Sequence, residues 1–525
     1  SDYKIYFAAE FDRSSTYNGT WKEKKLSTKK SSSGRNSGAY FTFNTDEIEK
    51  INYRIAISFV SIENAKENLR NEEKHLTFEE YQRETSKEWD SYLSTIKVKS
   101  KNEDRIKQFY THFYHSLIHP NIVSDINGEY MGADFKIHKT KENREQYSSF
   151  SVWDTYRTQG QLIAMLFPKK SSDMMQSLVD FAEQAGGYGR WILANIETGI
   201  MQGDPTPILI SNSFAFGGDD FDLKTAYRYM KKGALIPSLY SQKQEVRPYL
   251  EEYINNGHTF ASMSLEYASA DFAIAQFALN AVANEEDHKH FKDRSQNWKN
   301  NYNPKTKWLN SKFPNGVWKD KTHDWREGTY KNYFWMVPHN LNKLIDTIGG
   351  PRFAEKRLDS LFVRLDAEYE EDWFAAGNEP DFQVPWIYNW INKPEKTSKT
   401  IERILNDMYS SEEDGLPGND DLGTMGAWYV FASVGLYPLI PGVGGFSINI
   451  PQFNSIDISL PNDKILKIRK NQSKNYFINS LKFVGIKQNS TWIWWDKIKN
   501  GGLLNFSISD NNSSNLNLIK PPSYN

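Results

Sequence analysis

Gly418-Asn419-Asp420-Asp421-Leu422-Gly423-Thr424-Met425-Gly426-Ala427-Trp428-Tyr429-Val430-Phe431 sets a glycine-bracketed acidic turn directly before a helical run. The free N–H groups and dipole at a helix start stabilise carboxylates as anions, so one of the adjacent pair Asp420 and Asp421 can stay ionised and act as a base. The same residues also read as an N-cap and a turn. Outward from this point the helical period dominates residues 103–441, with amphipathic segments at 104–118, 154–167, 171–186, 261–281, 284–299, 339–347, 352–366, 397–410 and 424–436. About ten to twelve helices in hairpins predict an α/α toroid, its catalytic groups on the loops of one rim.

Strands flank the helices. Residues 1–64 carry alternating runs at 5–7, 39–43 and 53–60 around a Ser/Gly/Lys-rich stretch at 27–38, and strand patterns return at 456–460, 477–481 and 492–495. The expected organisation is therefore multi-domain: 1–64 as the end of an N-terminal β-domain, 65–102 as a helical linker, 103–441 as the mainly α catalytic domain, and 442–525 as a β-rich segment. The first residues already alternate like a strand, so the chain is expected to start inside that β-domain.

Composition narrows the chemistry. Lys+Arg 64 against Asp+Glu 66 leaves a net charge of -2, which argues against nucleic acid or an anionic membrane and for a neutral substrate. Sixteen Trp and 29 Tyr suit stacking on sugars, and equally an aromatic core. The lack of cysteine removes thiol catalysis and thiolate metal sites. No run approaches the roughly 20 apolar residues of a membrane span.

Three further segments offer carboxylates. Gly377-Asn378-Glu379-Pro380-Asp381-Phe382-Gln383 is a rigid, oxygen-rich loop that can hold Glu379 against a substrate or offer oxygens to a hard cation; it also reads as a solvated turn. Trp325-Arg326-Glu327-Gly328 places an acid among aromatics, where a general acid's pKa can be raised; a surface Arg-Glu pair is the other reading. Trp153-Asp154-Thr155-Tyr156-Arg157 opens a helix with a ring, an acid and a guanidinium, the groups that vicinal hydroxyls invite, or else with a cap. Gly186-Gly187-Tyr188-Gly189 follows a helix rather than a strand and is no dinucleotide loop.

Together these segments resemble glycoside hydrolase family 92, the calcium-dependent exo-acting α-mannosidases. The resemblance also takes in residues 57–65, Glu197-Thr198-Gly199-Ile200-Met201-Gln202-Gly203-Asp204-Pro205, Leu265-Glu266-Tyr267-Ala268 and Gly435-Leu436-Tyr437-Pro438. It implies an N-terminal β-sandwich, partial here, joined to an (α/α)6 barrel. It implies Glu327 as general acid, Asp421 with Asp420 at the base position, and Glu379 at the sugar and in reserve as the acid. Trp153, Asp154, Arg157, Glu197, Asn378 and Asn419 are expected to line the substrate site, and a Ca2+ ion is expected near Gln383 and Asp421.

The implied activity is calcium-assisted, inverting removal of terminal α-linked mannose from N-glycans or mannan by a secreted, periplasmic or cell-surface enzyme. Members that cleave α-1,2 bonds resemble one another in having His where this chain has Asn378, so the linkage stays open. The alternatives are another (α/α)6 glycosidase or an inactive carbohydrate-binding relative.

Overall fold

The computed structural model describes residues 3–46, 50–72, 76–471, 473, 475–509 and 519–525; residues 73–75 of the expected linker and 510–518 of the expected C-terminal segment lie outside them. Chain contacts divide it into two units: Ser1–Trp89 with Val123–Met131 and Ile137–Glu142, and Asp90–Ile122 with Gly132–Lys136 and Asn143–Asn525.

In the first unit Tyr6–Phe11 runs antiparallel to Tyr53–Ser58, and Tyr17–Lys22 lies between Lys25–Ser27 and Ser37–Thr42. The polar residues of the 57–65 motif have a shared task here. Buried Asp125 accepts hydrogen bonds from Ser58 Oγ (2.7 Å), Asn64 Nδ2 (2.8 Å) and Asn68 Nδ2 (2.7 Å), replacing the water that burial removes.

In the second unit burial sorts the helices. Gln159–Leu166, Thr206–Phe216, Ala261–Asn280 and Thr424–Val434 are buried almost all round, as is the 3-10 run Val384–Ile391. The first three and the 3-10 run are each followed by a helix that keeps one polar face: Pro168–Ala185, Leu223–Leu235, Glu285–Arg294 and Pro394–Asp407. Leu341–Ile348 and Pro351–Leu361 form a further hairpin, and Thr424–Val434 packs on Glu103–His115. Among the described residues this makes six pairs, five of them with one member walled by neighbours and the other half in water, which is the (α/α)6 toroid that the resemblance implies.

Within residues 103–441 three described α-helices, Thr206–Phe216, Leu223–Leu235 and the short Leu250–Asn256, are absent from the expected segments. The first is buried nearly all round, its polar residues included, and so shows no stripe. The second does carry buried residues at helical spacing, Ala226, Tyr229, Met230 and Gly233, so its period was there to be found. The expected helix 154–167 is two pieces, Val152–Thr155 and Gln159–Leu166, broken at Thr158 (φ -150°, ψ -58°). Ile96–Lys99, expected within a helical linker, is instead the edge strand of a six-stranded sheet, antiparallel to Ser455–Leu460. Its alternation of β-branched and Lys residues buries Ile96 and leaves the lysines outside.

Candidate active site

The turn before Thr424–Val434 gives its two aspartates different work. Asp420 Oδ2 accepts from the Gly423 N–H (2.8 Å) and Oδ1 from the Gly426 N–H (3.3 Å), so this residue caps the helix. Asp421, Leu422 and Gly423 then all take left-handed backbone angles, φ 46°, 54° and 93°. Two consecutive non-glycine residues in that region cost about 1–3 kcal/mol each and need outside support. Gln159 supplies it, donating from Nε2 to the Leu422 carbonyl (2.8 Å) and to the carbonyls of His119 (2.7 Å) and Ser116 (3.2 Å). The result turns Asp421 away from the cap, while Asn419 stays exposed.

The facing loop comes within backbone contact. A Cβ on Gly377 would lie 2.5 Å from the Pro417 carbonyl oxygen, and one on Gly418 would lie 2.8 Å from the Gly377 oxygen. Only glycine on both sides allows this crossing. It delivers Glu379, 3% exposed, to Asp421, and the short helix Val152–Thr155 adds Asp154, 2% exposed. Carboxylate oxygens of Asp154, Glu379 and Asp421 lie within 4.8 Å of one another.

Three acids so placed cannot all ionise freely. Burial, then the neighbouring Asp154 and Asp421, hold Glu379 well above the usual carboxylate range, with Arg157 opposing. Burial and Asp421 do the same to Asp154. Burial pushes Asp421 up to about 6 against its hydrogen bond with Glu379. That bond needs one proton, and the deeper burial of Glu379 places it there. Asp154 Oδ2 and Glu379 Oε1 are buried without a partner. Unpartnered carboxylate oxygens converging in a dry site are the donor set of a hard divalent cation, so these residues fit Ca2+.

A stability consequence follows. A carboxyl whose folded pKa is raised stabilises the fold below its unfolded pKa and loses that contribution as pH rises through the folded value. For cation-free protein the contribution of Asp421 is expected to fall between about pH 4 and pH 6 by roughly 3 kcal/mol. Melting temperatures of wild type and Asp421→Asn, taken in chelator across this range, isolate it. The wild type should fall relative to the variant and recover with calcium; a wild type that gains on the variant as pH rises would contradict the arrangement.

Arg157, 4% exposed, lies over the rings of Trp153 (4.5 Å) and Tyr156 (4.6 Å) and pairs with buried Glu266 at 3.4 Å. Trp153, 1% exposed, donates its indole N–H to Glu266 (3.1 Å), so its ring carries the guanidinium rather than an open face. Glu197 is not brought to the cluster: its oxygens accept from the backbone of Gly199 (3.0 Å) and Trp191 (3.3 Å). Gln383 shares the loop of Glu379 and donates to the Pro380 carbonyl (2.9 Å). Glu327 stands outside the three-carboxylate cluster, yet its charge reaches both Asp154 and Asp421. Its backbone is left-handed (φ 50°), and its carbonyl accepts from Asn378 Nδ2 at 2.5 Å.

Two participants escape the sequence analysis. Glu266 lies in a quoted segment, but nothing in its spacing shows that it anchors Arg157. Tyr369 sits 54% exposed on a hairpin closed by the Asp366–Ala375 bridge, and burial together with Glu327, Asp421, Glu379 and Asp154 raises its phenol's pKa. Its acidic neighbours Glu368, Glu370, Glu371 and Asp372 make that tip look like an ordinary solvated turn.

Comparison with known proteins places this geometry. An α-mannosidase of family 92 from Bacteroides thetaiotaomicron superposes with TM-score 0.89 at 28% identity, covering 99% of this chain and 72% of that one; its complex with mannoimidazole gives 0.90. A family 92 inverting mannosidase of the same organism shares the fold (TM-score 0.90, 23% identity, 100% and 76% covered). A protein of Arthroderma benhamiae named an uncharacterized secreted glycosidase is 24% identical over 91% of this chain, which spans 63% of that relative's length. Residues 1–58 match the glycosyl hydrolase family 92 N-terminal domain and residues 64–510 the family's catalytic domain, so the chain belongs to glycosyl hydrolase family 92.

Proposed function

We propose that this chain is an exo-acting α-mannosidase that hydrolyses terminal α-linked mannose of N-glycans or mannan with inversion and with calcium. The convergence of Asp154, Glu379 and Asp421, with Glu327 apart from them, carries the reading. Glu327 protonates the leaving oxygen from one side of the anomeric carbon. Asp421 takes the proton of the attacking water on the other, and the gap between an acid and a base of this kind is what admits the water. Asp420 acts indirectly, by capping the helix that fixes Asp421. Asp154, Glu379 and Asp421 would hold the cation, with Gln383 beside them on the Glu379 loop. When bound, calcium supplies a hard positive contact for vicinal sugar hydroxyls.

The named activity of the 28%-identical neighbour and its mannoimidazole complex favour mannose as the substrate. The secreted relative favours action outside the cytoplasm, and among the described residues no helix is long and apolar enough to cross a membrane.

Hydrolysis of α-1,2-, α-1,3-, α-1,4- and α-1,6-mannobiose with and without EDTA tests the reading. Mannose release from at least one of them, lost with EDTA and restored by calcium, is the expected result. Release that ignores the chelator points to a different (α/α)6 glycosidase, and sugar binding without release points to an inactive relative.

A further inference from the structure

Glu327 occupies the left-handed region although it is neither Gly, Asn nor Asp, the residues that visit it routinely. Such a conformation persists only where neighbours impose it. After Glu327 the chain is pinned by Asn332, whose Oδ1 accepts from the Thr329 N–H (2.9 Å) and hydroxyl (2.8 Å). Asn332 Nδ2 donates in turn to the Trp373 carbonyl and to Asp381 (3.2 Å). At Glu327 itself the grip is the 2.5 Å hydrogen bond from Asn378 Nδ2 to its carbonyl oxygen. Asn378 is 5% exposed, and the residue after it is Glu379. One dipeptide therefore holds the backbone of one carboxyl and supplies a member of the facing cluster.

We infer that Asn378 is a positioning residue for proton donation, fixing the Glu327 backbone so that its carboxyl meets the leaving oxygen. This differs from the substrate contact expected of Asn378 from the sequence, and it rests on Glu327 being the acid. The physics gives a discriminating test. A misplaced acid slows departure of a sugar alkoxide, which must be protonated, but hardly affects dinitrophenolate, which leaves without a proton. A lost contact to the mannose slows both alike, and with methyl α-mannoside as the alkoxide substrate no departing sugar is present in either reaction to be contacted.

Asn378→Leu keeps the side-chain volume and removes the donor. It should lower kcat on methyl α-mannoside by about 10²-fold and on dinitrophenyl α-mannoside by less than about threefold, with KM little changed. Both rates come from one protein sample, so their ratio does not depend on how much of the variant folds. Glu327→Gln should show the same split. Equal losses on the two substrates with Asn378→Leu, while Glu327→Gln splits them, overturn the inference alone. If Glu327→Gln shows no split, the acid assignment falls and the inference falls with it.

Discussion

Asp421→Asn is expected to lower kcat on a mannobiose by on the order of 10³-fold while leaving the protein folded. The substitution is close to isosteric, and Asn tolerates left-handed angles as Asp does, so the run at 421–423 and the Gln159 bonds that hold it should survive. What disappears is the capacity to take a proton from water. The buried carboxyl that must ionise near pH 6 among two neighbouring acids disappears with it, so the melting temperature above about pH 6 should not fall and in cation-free protein should rise. Steady-state kinetics and thermal unfolding on the same preparation check both. A variant within about tenfold of wild-type kcat would remove Asp421 from the chemistry.

Glu327→Gln is expected to cost about 10²–10⁴ in kcat on mannobioses while largely sparing dinitrophenyl α-mannoside, whose leaving group departs without a proton. Gln keeps the side-chain length, and the Asn378 bond goes to the backbone carbonyl, which the substitution leaves in place. Loss of activity therefore reads on the carboxyl itself. Glu379→Gln supplies the contrast. If it slows mannobioses and spares dinitrophenyl α-mannoside while Glu327→Gln does not, the acid is Glu379 and Glu327 has another task.

The toroid is legible because the outer helices advertise themselves: a face in water and a face on the core impose a period of 3.6 on the sequence. Thr206–Phe216 is illegible for the same reason, being buried on both sides. The loops at 377–383 and 418–423 stand out through their glycines and acids, and Asp154 through its neighbours Trp153 and Arg157. Which aspartate of the pair 420–421 faces the cluster does not emerge from residue types, because the two are identical; the left-handed turn and its Gln159 clamp, from 263 residues earlier in the chain, decide it. Asn378 illustrates the same limit. Its amide serves a carbonyl 51 positions away, and no local pattern records that.

The crossing of Gly377 and Gly418 has a consequence for how such a site can diversify. The two loops meet backbone to backbone, so the distance between Glu379 and Asp421 is set by atomic radii rather than by a choice of side chains. Residues on the exposed hairpin tip at 368–370 lie outside that contact and can drift, lengthen or exchange aromatic for polar groups without disturbing it. What the Tyr369 tip presents to solvent can therefore change, or be engineered, on a part of the chain mechanically separate from the part that sets the spacing of the carboxylates.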